Sequence, residues 1–177
     1  MRKVIHKWFL DWEKEEKWVN EMAAKGLALT AIGLGRFEFE ECDPGEYRYR
    51  CELLKNLPNH PESEQYIRFV ESTGAEHAAT WMRWVYFRKK TADGEFELFS
   101  DNASKISHLG TILALIGVIT LLNLFAGAYN IILALVFSSP VNLMGIFNIA
   151  LGIFLGALFV KYFRRRQKLK GEKTLFE

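Results

Sequence analysis

Charge is what this sequence lacks over its longest stretch. Residues 106–160 contain no Asp, Glu, Lys or Arg, and a single proline, Pro140. That interval is too long for one bilayer crossing at about 20 residues and fits two crossings with a short turn between them. Cysteine is scarce as well: Cys42 and Cys51 stand without a neighbouring histidine, so they make poor zinc ligands. In a reducing cytoplasm they stay thiols and serve as small apolar fillers. The histidines, His6, His60, His77 and His108, are scattered singly, with no HExxH or HxH spacing. No serine lies in a G-x-S-x-G setting. Gly33-Leu-Gly35 followed by Arg36 lacks the Lys-Ser ending of a phosphate loop and interrupts a strand instead of opening a helix. No catalytic residue, metal ligand or cofactor site is therefore expected.

What is present divides the chain in two. Of the 23 Lys and Arg residues, 7 follow Lys105, together with only 2 of the 21 acids, so the end of the chain is near +5 and the part through Lys105 near −3. The excess of positive charge belongs to a juxtamembrane tail, not to a nucleic-acid-binding domain, and the aromatics lack the order of an RNA-recognition sheet. The expected domains are a cytoplasmic α+β domain over 1–104, a two-span hairpin over 105–163 and a basic tail over 164–177. Met1-Arg-Lys-Val-Ile-His-Lys has a positive start, but Asp11 and Glu13 interrupt it before an apolar signal segment develops. Lys105 precedes the first span, Arg164, Arg165, Arg166, Lys168 and Lys170 follow the second, and Ser138-Ser-Pro-Val-Asn142 is uncharged. By the positive-inside rule, both termini are expected to be cytoplasmic in a multi-pass membrane protein.

In the first hundred residues the pattern predicts a strand over Arg2–Leu10. A helix capped by Asp11 then runs to Lys25, with Gly26 after it and Trp12, Glu15, Glu16, Val19, Met22 and Ala23 on one face. Leu27 to Glu40 reads as one long strand with a bulge or bend at Gly33 and Gly35. Asp43-Pro44-Gly45 predicts a hairpin setting Glu40 opposite Arg48, Glu38 opposite Arg50 and Phe39 opposite Tyr49. A second helix starts at His60-Pro61, buries Tyr66, Phe69, Val70 and Thr73, and stops at Gly74. His77 to Lys90 reads as a long strand, followed by a turn at Asp93-Gly94 into Glu95–Phe99 with Lys90 opposite Glu97. The order is β-α-β-β-α-β with an extra edge strand, a ferredoxin-like antiparallel sheet with both helices on one face. The segment 81–87 is apolar on both sides: Trp81, Val85 and Phe87 on one, Met82, Trp84 and Tyr86 on the other. A face left bare by the helices would make Trp81, Trp84 and Tyr86, with Arg83 and Arg36, a surface for a ligand or partner.

In the spans, Gly145, Gly152 and Gly156 form a small-residue stripe, and Asn123 and Asn148 are candidates for hydrogen bonds between helices. Lys161, Arg164, Arg165 and Arg166 are placed to meet lipid headgroups. Whether Ile131–Phe137 extends the first span or lies at the interface stays open.

Several segments carry a family resemblance: Trp12-Glu-Lys-Glu-Glu-Lys-Trp-Val-Asn-Glu-Met-Ala-Ala-Lys-Gly26, Gly35-Arg-Phe-Glu-Phe, Cys42-Asp-Pro-Gly-Glu-Tyr47, Trp84-Val-Tyr-Phe-Arg88 and Phe96-Glu-Leu-Phe-Ser-Asp101. The chain resembles a bacterial family catalogued only as a domain of unknown function, commonly a soluble domain followed by two membrane spans. Its genes often neighbour PadR-type regulators, and the resemblance implies a membrane component of an envelope- or drug-stress response. It assigns no site residues. The leading expectation is a non-enzymatic membrane protein whose partners are lipids, further copies of itself, and a protein or small hydrophobic ligand. An oligomeric pore or export accessory is the second reading. An enzyme acting on a lipid or membrane-active drug, with Arg36, Arg83 or a histidine in its pocket, is the third.

Overall fold

The computed structural model describes residues 2–98, 102–137 and 143–174, and the chain divides into two compact units, Met1–Leu98 and Phe99–Glu177. The first unit is α+β. Its elements are β1 (Arg2–His6), α1 (Trp12–Ala24), β2 (Leu27–Gly33), β3 (Arg36–Glu41), β4 (Tyr47–Leu53), α2 (Pro61–Ser72), β5 (Glu76–Trp81) and β6 (Trp84–Lys90). The strands form two three-stranded antiparallel sheets, β1-β3-β2 and β4-β6-β5, in place of one expected sheet. Strands β2 and β5 lie beside each other.

Both helices begin and end as their sequence dictates. Asp11 caps α1 by accepting the Glu13 N–H at 3.1 Å, and His60 caps α2 by accepting the Glu62 N–H at 3.3 Å. Gly26 and Gly74 follow them with positive φ. The inward face of α2 is Ser63, Tyr66, Ile67 and Val70; of the expected stripe Tyr66 and Val70 face the core, while Phe69, 63% exposed, and Thr73 do not.

Three predicted strand features are corrected. The fault in Leu27–Glu40 is a two-residue turn at Leu34-Gly35 that folds β2 back on β3; the bulge lies elsewhere, between Leu29 and Ala31. The turn at Asp43 forms, with the Glu46 N–H donating to Asp43 O at 3.0 Å, but it joins two different sheets. Its loop is fastened to the end of α1: Cys42 N donates to Gly26 O at 3.0 Å and Gly45 N to Ala23 O at 2.9 Å. A side chain on Gly26 would meet Cys42 O at 2.9 Å, so this junction requires glycine. Glu40 therefore sits opposite Arg2 and Ala28, and Glu38 opposite Val4 and Ala31. Third, His77–Lys90 is a hairpin, β5 and β6, turned at Met82-Arg83. Met82 adopts φ 56°. A turn with methionine where glycine or asparagine is usual leaves no signal in the sequence. The segment after it is a 3-10 turn at Thr91–Asp93 with no further strand among the described residues, and Lys90 pairs with Tyr47.

Helices α1 and α2 cover opposite faces of the second sheet. Val19, Met22 and Ala23 of α1 pack with Leu29, Phe37, Phe39, Tyr49, Cys51, Ala79 and Tyr86. Val70 of α2 packs with Leu54, Ala75, Val85, Phe87 and Phe96. Strand β6 serves both cores, which is why it is apolar on both sides.

The second unit is a pair of helices, α3 (Asn102–Val136) and α4 (Leu143–Thr174), packed as a hairpin and each long and apolar enough to cross a membrane. Residues 131–136 extend α3, and α4 continues through the basic stretch. Glycines set the approach of the two helices. A Cβ on Gly127 would lie 2.6 Å from Ile149 Cγ1 and 2.9 Å from Gly145 O; one on Gly152 would lie 2.6 Å from Leu124 Cδ2. A Cβ on Gly145 would lie 2.9 Å from Asn130 Cβ, but one on Gly156 would have room, with Thr120 Cγ2 at 3.8 Å. Gly127→Ala should therefore destabilise the detergent-purified protein by about 1–3 kcal/mol through overpacking against backbone. Gly156→Ala should stay within about 0.5 kcal/mol; thermal unfolding of the two variants checks the contrast. Asn123 donates to Ile119 O within its own helix at 2.8 Å, and Asn148 is half-buried on α4.

Candidate functional site

Of the residues expected to form a binding surface, three meet at the β5–β6 turn. Trp81 and Trp84 are its closing pair and are half-buried. Arg83, in the turn, donates Nε to Leu54 O at 2.8 Å, while Leu54 N donates to Arg83 O at 2.8 Å. Tyr86 is 1% exposed and belongs to the core. Its hydroxyl donates to Glu15 Oε1 at 2.5 Å. The expectation that helices leave that side bare is thus corrected: α1 covers it, with Trp12 stacked on Trp84 at 6.4 Å. Arg36 lies apart on β3, its Nη1 2.7 Å from Glu38 Oε1.

Arg36 and Arg83 nevertheless belong to one end of the unit. The Trp8 ring lies over Gly35, where a Cβ would come within 2.7 Å of Cε2, and Lys7 N donates to Gly35 O at 3.0 Å. Trp8 leads into α1, whose first residue, Trp12, stacks on Trp84. The β2–β3 turn, the entry to α1 and the β5–β6 turn therefore share one end. Lys7 places its ammonium 5.0 Å from the Phe9 ring and 4.8 Å from the Trp18 ring.

A second constellation escaped the sequence reading. Strand β4 is an edge strand, and α1 occupies its outer edge with side chains. Asn20 accepts the Tyr49 N–H at 2.9 Å and donates to Tyr49 O at 3.0 Å. Glu16 accepts the Cys51 N–H at 2.8 Å and pairs with Arg50 at 3.2 Å. Arg50 also bonds Glu97. The signal was available: Glu16 and Asn20 are polar residues four apart beside the apolar stripe of α1. Among the described residues no group of three or more His, Cys, Asp or Glu could hold a metal ion.

Residues 11–121 match a family described as "Protein of unknown function (DUF2812)". The chain belongs to the DUF2812 family. The matched region takes in most of the first unit and the first part of α3. No curated protein and no solved structure matches the chain.

Burial raises the carboxyl pKa of three acids in this DUF2812 unit. At Glu15 the Tyr86 hydroxyl opposes the shift; at Glu16 the Cys51 N–H and Arg50 oppose it; at Glu52 the Tyr66 hydroxyl does. Burial also pushes the Tyr49 hydroxyl up to about 12 and the Cys51 thiol well above its ordinary value. A carboxyl with a raised folded-state pKa stabilises the fold fully below its unfolded value, and that contribution is lost as pH rises through the folded value. Glu15→Gln keeps an acceptor for Tyr86 and removes the titration. Its stability relative to wild type should therefore increase between about pH 4 and pH 7, measured by thermal unfolding across that range.

Proposed function

We propose that this DUF2812 chain is a non-enzymatic protein of the bacterial cell membrane. Its helical hairpin anchors a folded unit at the cytoplasmic face, where that unit binds a small ligand, a protein partner or another copy of itself. The observation that carries this reading is the distribution of side chains on the hairpin. Only 17% of the most apolar window of α3, and 11% of that of α4, is buried within the chain. Val118, Leu122, Phe125, Leu135, Phe147 and Ile153 all point outward. Exposed to water, each would forfeit about 1.5–3 kcal/mol of burial; in hydrocarbon none does. The helices have 35 and 32 residues, which at about 1.5 Å per residue exceeds the hydrocarbon thickness of about 30 Å.

Positive charge gathers at one end of the hairpin. Arg166 donates Nε to Ile106 O at 3.3 Å, which sets the stretch Lys161–Lys170 beside Lys105 at the start of α3. This supports a cytoplasmic location for that end and contact of Lys161, Arg164, Arg165 and Arg166 with anionic headgroups. The glycine stripe that would favour a pore is occupied by the partner helix of the same chain, through Gly145 and Gly152. Alkaline carbonate washing of membranes holding the full chain tests the anchor: retention in the pellet is the expected result, and release into the supernatant would overturn it.

A further inference from the structure

Three segments at one end of the first unit each present a large apolar side chain to solvent. Trp8 is 71% exposed, Leu34 65% and Met82 66%. Each has a cation within two positions: Lys7-Trp8, Leu34-Gly-Arg36 and Met82-Arg83, where Lys7 lies over the Phe9 and Trp18 rings, Arg36 pairs with Glu38, and Arg83 bonds Leu54 O through Nε. These segments are brought to the same end by the packing of Trp8 on Gly35 and of Trp12 on Trp84. Asp11, at the entry to α1, accepts the Glu13 N–H as the helix cap.

The backbone adds a second observation. Leu34 is carried at the tip of its turn by Gly35, at φ +62°. At the other turn the left-handed position is held by Met82, a residue that gives up the freedom glycine would have there. A long, flexible, apolar side chain is thus kept at a place where the fold alone would favour none.

We propose that this end, with Trp8, Leu34 and Met82 as its tips, docks into the headgroup layer of an anionic lipid bilayer. Tryptophan rings sit at that depth, short apolar side chains reach the acyl boundary, and lysine or arginine beside them meets the phosphates. A protein partner would be recognised by shape at a single patch; three separate tips, each paired with a cation, match a surface that is apolar below and negative above. The proposal rests on the anchoring reading, because an anchored unit meets lipid at high effective concentration even when each tip binds weakly.

The test uses the full chain with Cys42→Ser, reconstituted into vesicles of phosphatidylcholine and phosphatidylglycerol. An environment-sensitive fluorophore is placed at Leu34→Cys or, as a control in the same unit, at Glu71→Cys on α2. Nitroxide lipids labelled near the headgroup should quench most of the emission at position 34 and little at position 71. Quenching should weaken several-fold in pure phosphatidylcholine and in high salt. Adding Met82→Gly should reduce quenching at position 34 without lowering the melting temperature, since glycine accepts the backbone conformation of that turn. An unquenched label at position 34, in protein retained after carbonate washing, would overturn the docking end and leave the anchor standing. A label shielded from aqueous iodide yet untouched by nitroxide lipid would assign the end to another protein chain and also overturn it. Protein lost on carbonate washing would overturn the anchor, and the docking end with it.

Discussion

Phe39→Ala should lower the stability of the first unit by about 3–5 kcal/mol, the usual range for truncating a buried phenylalanine. Phe39 lies on β3, the central strand of its sheet, opposite Lys3 on β1 and Leu29 on β2. It is fully buried and meets the Trp18 ring edge-on at 5.7 Å. Removing the ring leaves a cavity bounded by a helix and two paired strands, which can collapse only partly. Against a typical domain stability of about 5–15 kcal/mol, the loss is a large fraction. Urea unfolding should show a lower midpoint with an unchanged slope. Phe69→Ala, at an exposed position on α2, should change the midpoint by the equivalent of less than about 0.5 kcal/mol. A large effect at Phe69 would restore the helix stripe first read from the sequence.

Asn20→Ala should cost about 1–3 kcal/mol, because the loss leaves a backbone group unsatisfied. Its amide satisfies both backbone groups of Tyr49 that point away from β6. Once it is removed, the Tyr49 N–H at a covered strand edge loses its partner, at about 1–3 kcal/mol, while Tyr49 O keeps Arg50 Nη1 as a donor at 3.3 Å. The same change uncovers the outer edge of β4, where a further strand could add. Thermal unfolding measures the first effect, and concentration-dependent sedimentation the second.

How much of this was legible depended on whether the controlling contact was local. Both helices of the first unit, their caps and Gly26 and Gly74 follow from residues within one turn of each other. The apolar interval 106–160 likewise announces two long helices through composition alone. Pairing of strands did not follow. By sequence pattern alone, Glu38, Glu40, Arg48 and Arg50 suggest a ladder around Asp43-Pro44-Gly45 that does not form. The loop is held by Ala23 and Gly26 at the end of α1, a contact between segments far apart in sequence. The doubly apolar segment 81–87 was read correctly in composition and wrongly in consequence. Its two faces meet α1 and α2, and the turn inside it is hidden because methionine holds a left-handed position. Trp81, Trp84 and Arg83 do come together, while Tyr86 is taken into the core. Trp8, Leu34 and Met82 could not be singled out beforehand, because exposure of an apolar residue is a property of the packed unit.

We propose that an uncharged hairpin holds this chain in a membrane with both of its ends on the cytoplasmic side. Single cysteines introduced at Lys3, Ser139 and Lys170 test it most directly, in a Cys42→Ser background where Cys51 is buried and unreactive. A maleimide that cannot cross the bilayer should label position 139 in intact cells, and positions 3 and 170 only after the membrane is opened. Labelling of position 3 or 170 in intact cells, with position 139 protected, would rule out this topology.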